Sequence, residues 1–220
     1  MARSTSDITE IVRRLRRTSR RWTQTALMAV ADRSRDPFQV LVSCIISLRT
    51  QDPVTAAASA RLFRLARTPR SLRRLPLNAI EQAIYPAAFY RVKAKTLHAI
   101  CDALVEKHGG KVPDDLQRLL ELPGVGRKTA NLVITVAYAK PGICVDTHVH
   151  RISNRLGIVK TKTPEQTEFA LRQVLPRRLW ISYNDLLVAF GQNLCRPLSP
   201  HCSTCPVREL CRRVGVDRHR

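Results

Sequence analysis

The chain has 220 residues, 44% of them hydrophobic, enough for one or two domains with a core of their own, which excludes a disordered chain and a miniature fold that needs staples. Lys and Arg number 38 against 17 Asp and Glu, a net charge of +21, so the field attracts polyanions and nucleic acid is the expected partner. Composition alone leaves open a basic protein with no nucleic-acid role and a binder of anionic membranes. Arg supplies most of the positive charge, and Arg keeps that charge everywhere and grips phosphate through a two-pronged fork. The longest uncharged apolar runs, such as Phe38 to Leu48, fall short of the roughly 20 residues that span a bilayer, so no membrane association is expected. The N-terminus lacks the apolar segment of a secretory signal. Residues 11–21 are rich in Arg and free of acid, as in an organelle transit peptide, but Asp7 and Glu10 precede them and the segment reads as a domain helix. A cytoplasmic, nucleoid-associated monomer of bacterial or archaeal type is expected.

In chain order the pattern is helical. Side-chain oxygens that can cap a helix stand directly before proline at Asp36-Pro37, Asp52-Pro53, Thr68-Pro69 and Thr163-Pro164, the arrangement that opens a helix. Asp36 with Gln39, Asn78 with Glu81, and Thr163 with Gln166 resemble capping boxes, and Asp7 with Glu10 is a candidate opening of the first helix. Helices are predicted at 7–18, 24–32, 37–48, 53–66, 69–74, 79–84, 92–108, 114–121, 126–139, 147–156, 164–174 and 180–192. The helix from Phe38 to Leu48 is apolar almost all round and should be central and buried. The helix from Val92 to His108 should end at Gly109-Gly110. Ile143-Cys144-Val145 follows Pro141-Gly142 and reads as a connector rather than a strand. The fold class is all-α.

Residues Leu122-Pro123-Gly124-Val125-Gly126-Arg127-Lys128 lie between two helical patterns. Pro123 stops the first helix, and Gly124 and Gly126 permit a tight turn with positive φ. The second helix then begins with its N–H groups facing outward, which suits phosphate. The segment from about 116 to 138 is a helix–hairpin–helix, a sequence-independent grip on a DNA backbone through Gly124, Val125, Gly126 and Arg127. Lys128 is either one more phosphate contact or a nucleophile. Its place in the first helical turn, beside Arg127, favours the neutral amine that imine chemistry needs. Asp146 opens the next helix in Val145-Asp146-Thr147-His148. It is either a cap or a carboxylate placed to stabilise positive charge at a sugar during glycosidic cleavage.

Three of the seven cysteines, Cys44, Cys101 and Cys144, sit in apolar surroundings and read as core thiols. The other four follow the pattern Cys195-x6-Cys202-x2-Cys205-x5-Cys211. Four thiolates can hold a [4Fe–4S] cluster or one tetrahedral zinc. Zinc sites more often pair two short Cys-x2-Cys knuckles, and here one short pair exists.

Taken together, the hairpin with Lys128, Val-Asp-Thr-His, and the four cysteines resemble the endonuclease III family of helix–hairpin–helix base-excision DNA glycosylases, over roughly residues 8 to 211. The resemblance implies two helical domains with the active site in a cleft between them: a six-helix barrel carrying the hairpin at 30–140, and an iron–sulfur domain built from both chain ends, 1–29 and 141–220. It implies a [4Fe–4S] cluster on Cys195, Cys202, Cys205 and Cys211, with Arg196, Arg208, Arg212 and Arg213 around it to meet phosphate. It implies Lys128 as nucleophile with Asp146 as its carboxylate partner. The expected activity is that of a bifunctional DNA N-glycosylase and apurinic/apyrimidinic lyase on oxidised pyrimidines such as thymine glycol, acting on duplex DNA with a damaged base or abasic site. Two alternatives stand beside it: a monofunctional mismatch glycosylase, which Lys128 disfavours, and a non-catalytic DNA-binding module.

The chain departs from the family at two places. Where the family commonly has Ser-Ala-Gln-Ala-Thr-Asp, this sequence has Ser47-Leu48-Arg49-Thr50-Gln51-Asp52. Arg49 therefore stands where a glutamine fills the space left by the flipped base, and it either enters that space, stacking there or hydrogen-bonding to the orphan base, or contacts phosphate. Phe89 stands in the segment that carries a wedge leucine, either as an apolar wedge or as a core residue. His148 and His150 flank the Asp146 segment, and His148 is a candidate phosphate contact.

Overall fold

The computed structural model describes residues 4–20, 22 and 35–220. The helix predicted at 24–32 lies outside them. Among the described residues the fold is all-α, without a strand, and the chain divides into one unit of residues 26–140 and another of 1–25 with 141–220.

In the first of these units the element that organises the rest is α2 (Pro37–Ser47), numbered after α1 (Thr5–Ser19) of the other unit. Asp36 caps it by accepting the Gln39 N–H at 2.9 Å. From Phe38 to Ile46 every side chain but Gln39 is buried, as a helix apolar on all faces must be. Around it stand α3 (Asp52–Leu65), α4 (Pro69–Arg73), α5 (Leu77–Ile84), α6 (Tyr90–Lys107), α7 (Leu116–Leu120) and α8 (Arg127–Ala137). α2 packs on α3, α6 and α8, α6 packs on α4 and α5, and α7 packs on α8. α6 ends where expected: Gly109 and Gly110 take φ of 61° and 83°, and the Gly110 N–H reaches back to the Leu104 carbonyl at 2.8 Å.

The second unit joins α1 (Thr5–Ser19) to α9 (Thr147–Arg155), α10 (Pro164–Val174) and α11 (Trp180–Asn193), with short 3₁₀ turns at Arg177–Leu179 and Arg208–Leu210. Ile8, Ile11, Val12 and Leu15 line one face of α1 and share a core with Val149, Ile152, Leu171, Tyr183, Leu187 and Phe190. The i, i+3, i+4, i+7 spacing of the α1 residues is what lets a basic helix dock. Ile143, Cys144 and Val145 are buried in an irregular connector.

Several predicted caps are corrected. The first helix opens at Ser4, whose hydroxyl accepts from the Asp7 N–H, not at Asp7 itself. Asp52 is the first helical residue of α3, behind Gln51, and makes no cap bond. α5 starts two residues early, behind Pro76, so Asn78 lies inside it. Thr163 accepts from the Gln166 N–H, but the Gln166 carbonyl turns to the N–H of Lys162, one residue before the cap. The reciprocal box occurs instead at Thr68 with Ser71, where Ser replaces the longer acid or amide of the usual signature.

Candidate functional site

The hairpin forms from α7 and α8 and the turn between them. Gly124 has φ of +70°, and a Cβ there would stand 2.7 Å from Thr96 Cγ2 of α6. Glycine at 124 is required twice over, for the left-handed backbone and for the close approach. Gly126 is different: its φ is −92°, an extended N-cap, which corrects the expectation of positive φ. A Cβ there would meet nothing within 4 Å, so the absent side chain leaves the end of α8 open, and no side chain caps it. Val125 is buried, and its N–H closes the turn onto the Leu122 carbonyl. Arg127 and Lys128 are both half-buried in the first turn of α8. The thiol of Cys44 in α2 is pushed up to about 12 by burial, and the nearby Lys128 ammonium pulls the other way. Lys128 is thus near enough to α2 for its charge to act on the Cys44 thiol.

Arg49 and Phe89 are brought together. The Arg49 guanidinium lies over the Phe89 ring, 5.8 Å from its centroid, and both border a cavity with Leu48, Lys93, Thr96 and Gly124. Phe89 is 61% exposed, which rules out the core alternative. Tyr85 and Val92 beside it are exposed to the same degree, and Arg91 stacks on Tyr90 at 5.3 Å. Exposed aromatic groups interleaved with Arg are the chemistry that can stack bases and hold phosphates. Both Arg49 and Phe89 are in the left-handed region, at φ of 53° and 57°, which is costly outside glycine. The sequence reading missed Lys93. It is 6% exposed, and its Nζ donates to the carbonyls of Ile46 and Leu48, at 2.6 Å each, and to Thr50 Oγ1 at 2.8 Å. Burial lowers its pKa to about 8.

In the other unit, Asp146 caps α9, with Oδ1 accepting from the Val149 N–H at 2.9 Å. His148 Nδ1 stands 3.3 Å from an Arg151 guanidinium nitrogen. A Cβ at Gly191 of α11 would run into that same ring nitrogen, so the two helices pack closely there. His150 Nδ1 meets the hydroxyl of Thr167 at 2.7 Å. The far end of α9 grips the cysteine segment. Arg151 donates to the Cys195 carbonyl at 2.9 Å, and Arg155 to the carbonyls of Arg196 and Pro197 at 2.6 Å each. One short helix thus carries Asp146 at its start and holds the cysteine loop at its end.

Cys195, Cys202, Cys205 and Cys211 line one cavity, with Arg155, Leu156, Phe190 and Leu194 among the other residues of its wall. Among the described residues no three His, Cys, Asp or Glu side chains gather as one metal ion requires. Zinc draws four ligands onto a single centre, whereas an iron–sulfur cluster takes its cysteines at separate irons. Four cysteines about one cavity are a donor set that a [4Fe–4S] cluster can take. Burial raises the Cys205 thiol to about 11, so a thiolate there calls for a cation to hold it.

Residues 42–177 match the model of the HhH-GPD superfamily of base excision DNA repair proteins. The chain is 50% identical over 176 residues to Endonuclease III of Thermotoga maritima, covering 80% of this chain and 83% of that protein. It is 44% identical over 183 residues to the chloroplastic Endonuclease III homolog 2 of Arabidopsis thaliana, covering 79% of this chain but 47% of that longer protein. The fold superposes on a trapped endonuclease III–DNA covalent intermediate, an estranged-adenine complex, with a TM-score of 0.85 at 33% identity over 96% of this chain and 97% of the other. No described helix is long and apolar enough to cross a membrane. This chain, all-α among its described residues, with a hairpin opened by Gly126, Lys128 in the turn behind it and four cysteines about one cavity, belongs to the endonuclease III family of HhH-GPD base-excision repair proteins.

Proposed function

We propose that the protein is a bifunctional DNA N-glycosylase and apurinic/apyrimidinic lyase that removes oxidised pyrimidines from duplex DNA in base excision repair. The observation that carries this reading is Lys128, half-buried in the first turn of a helix whose N-terminus carries no capping side chain. Backbone binding alone needs no amine at that position. Gly124, Gly126 and Arg127 present the open end of α8 to a phosphate, while Arg49 and Phe89 enter the space vacated when the damaged base swings out of the stack. The +21 charge draws in the duplex. Residues 30–140 form the six-helix barrel of the family and the remainder its iron–sulfur domain, in a monomer that needs no second copy.

The chemistry assigned to the chain's own groups balances. The neutral Lys128 amine attacks C1′ of the sugar, and the glycosidic electron pair leaves with the base, which takes up a proton. Asp146 stabilises the positive charge that builds on the sugar and receives the proton shed by the Lys128 nitrogen; its cap bond to Val149 fixes the carboxylate while it does so. Asp146 returns that proton to O4′ as the C1′–O4′ bond breaks, which leaves a protonated imine between Lys128 and C1′. The imine acidifies C2′, the Asp146 carboxylate takes up the proton from that carbon, and the 3′ phosphate departs with the C3′–O bond pair by β-elimination. Water then frees the lysine. Cys195, Cys202, Cys205 and Cys211 would hold a [4Fe–4S] cluster. When bound, it supplies a rigid cross-link of the C-terminal loop, which then offers Arg196, Arg208, Arg212 and Arg213 to the DNA backbone.

Borohydride trapping tests the reading. Incubated with a thymine-glycol duplex, the wild-type protein should form a covalent adduct with DNA, and Lys128→Ala should form none while keeping its duplex affinity. Base release without an adduct would move the protein to the monofunctional branch. Equal nicking by Lys128→Ala would remove that lysine from the mechanism, and no reaction on either a lesion or an abasic duplex would leave a binding module.

A further inference from the structure

The geometry points to Lys93 as the positioning residue that holds Arg49 and Phe89 in register as a single two-pronged probe. The inference rests on the reading above, in which those two side chains enter the duplex. Lys93 is buried, yet its three partners are two carbonyls and a hydroxyl. An ammonium has three donors, and here each finds an acceptor. Two of them, the carbonyls of Ile46 and Leu48, belong to the C-terminal end of α2, where backbone acceptors run out of helical partners. The turn that follows is the one that carries Arg49. The third acceptor, Thr50 Oγ1, also receives the Ala88 N–H at 3.2 Å. Ala88 precedes Phe89, so one hydroxyl ties the two probe-bearing segments to each other and to Lys93.

Strain supplies the reason for such a clamp. Arg49 and Phe89 both hold left-handed backbones, and such conformations persist where the surroundings over-determine them. Phe89 itself directs the clamp, because its carbonyl accepts the Lys93 N–H at 3.0 Å and the two residues are one helical turn apart. Thr96, a further turn along α6, is the residue against which Gly124 packs. One stripe of α6 therefore sets the Phe89 loop, the Arg49 turn and the hairpin turn against one another. A lysine suits this task better than a methionine of similar length, which would fill the space but leave the carbonyls and the Thr50 link unmade.

The test measures the ratio of affinities for a duplex holding a tetrahydrofuran abasic analogue and for the same duplex undamaged. Four variants are compared: Lys93→Met, Thr50→Val, the pair Arg49→Ala with Phe89→Ala, and that pair with Lys93→Met added. Lys93→Met should lower the ratio between about 10- and 100-fold, as a displaced binding group does. Its affinity for undamaged duplex should stay within about twofold of wild type, as should the triple variant relative to the Arg49/Phe89 pair, since nothing remains to be positioned. Thr50→Val keeps the side-chain volume and the Lys93 bonds to α2, so it should lower the ratio without a large fall in melting temperature. If the Arg49/Phe89 pair keeps the wild-type ratio, the probe reading fails and the clamp falls with it. If that pair loses the ratio while Lys93→Met and Thr50→Val keep it, the clamp alone is overturned. Equal losses from Lys93→Met in the wild-type and Arg49/Phe89 backgrounds would likewise reduce Lys93 to a structural residue.

Discussion

Residues 35–140 and residues 195–220 hold their functional groups in place by opposite means. In the first region α2 buries a continuous run of side chains, and the hairpin, the Arg49 turn and the Phe89 loop are fastened to that core through α6 and α8. In the second only Pro200 and Val207 are buried, and regular structure amounts to one 3₁₀ turn. What holds that segment is a set of polar ties: Arg155 to the carbonyls after Cys195, the Val214 N–H to the Arg155 carbonyl, and Arg220 paired through both its N–H and its carbonyl with residues 200 and 203. A hydrophobic core fixes geometry by volume, and each buried side chain constrains its neighbours. A loop without a core needs a cross-link, and the four cysteines around one cavity are placed to supply it.

The comparison is broken or sharpened most strongly at the cysteines. With the proposed cluster in place, Cys202→Ser should lower the iron content and expose residues 195–220 to hydrogen exchange and proteolysis, while the amides of α2 and α8 keep their protection. Full iron content with unchanged exchange in that loop would show that the polar ties suffice. A smaller effect is expected at Gly124. Alanine there must adopt φ of +70° and press on Thr96, at a cost of about 1–2 kcal/mol for the left-handed backbone alone. Thermal melts should show the loss, and Thr96→Ser, which removes the methyl in contact, should recover part of it. Smallest of all is Glu10 on α1. Hydrogen bonds from Arg13 and Arg14 hold its carboxyl down to about 2, and Arg14 also reaches Glu209 beside the cysteine loop, at 3.5 Å. The folded value lies below the unfolded one, so this contribution is complete above pH 4.5 and is lost as pH falls toward 2. Wild type should exceed Glu10→Gln slightly in melting temperature at neutral pH, with the difference closing toward pH 2; the pair is exposed and the effect small. A difference that persists at pH 2 would show that Glu10 acts through packing rather than charge.

Much of the architecture was legible before folding because its signals are local. Asp36 before Pro37, Thr163 before Pro164 and Gly109-Gly110 after α6 act through hydrogen bonds spanning three to six residues, which a reader of the chain can count. The misplaced openings at Asp7, Asp52 and Asn78 show the limit of the same logic. Ser4, Gln51 and Pro76 stand a few residues upstream, and a helix start chooses among neighbouring candidates by how its first turn packs. The hairpin was legible as a motif, but the different duties of its two glycines were not: Gly124 faces Thr96 of another helix, and Gly126 faces open space.

The sequence by itself determined the helical class, the buried central helix, the basic surface, the hairpin with Lys128 and the grouping of four cysteines, since each follows from composition, periodicity or short spacing. Only the tertiary structure decided that Arg49 stacks on an exposed Phe89, that Val125 turns inward, and that Asp146 starts the helix that grips the cysteine loop. It alone revealed Lys93, which reads in the sequence as one more basic residue of a basic helix. Its partners lie 43 to 47 residues away. A hydrogen bond over that separation leaves no periodic trace in the chain, because the burial that makes it strong exists only once α2 and α6 have packed.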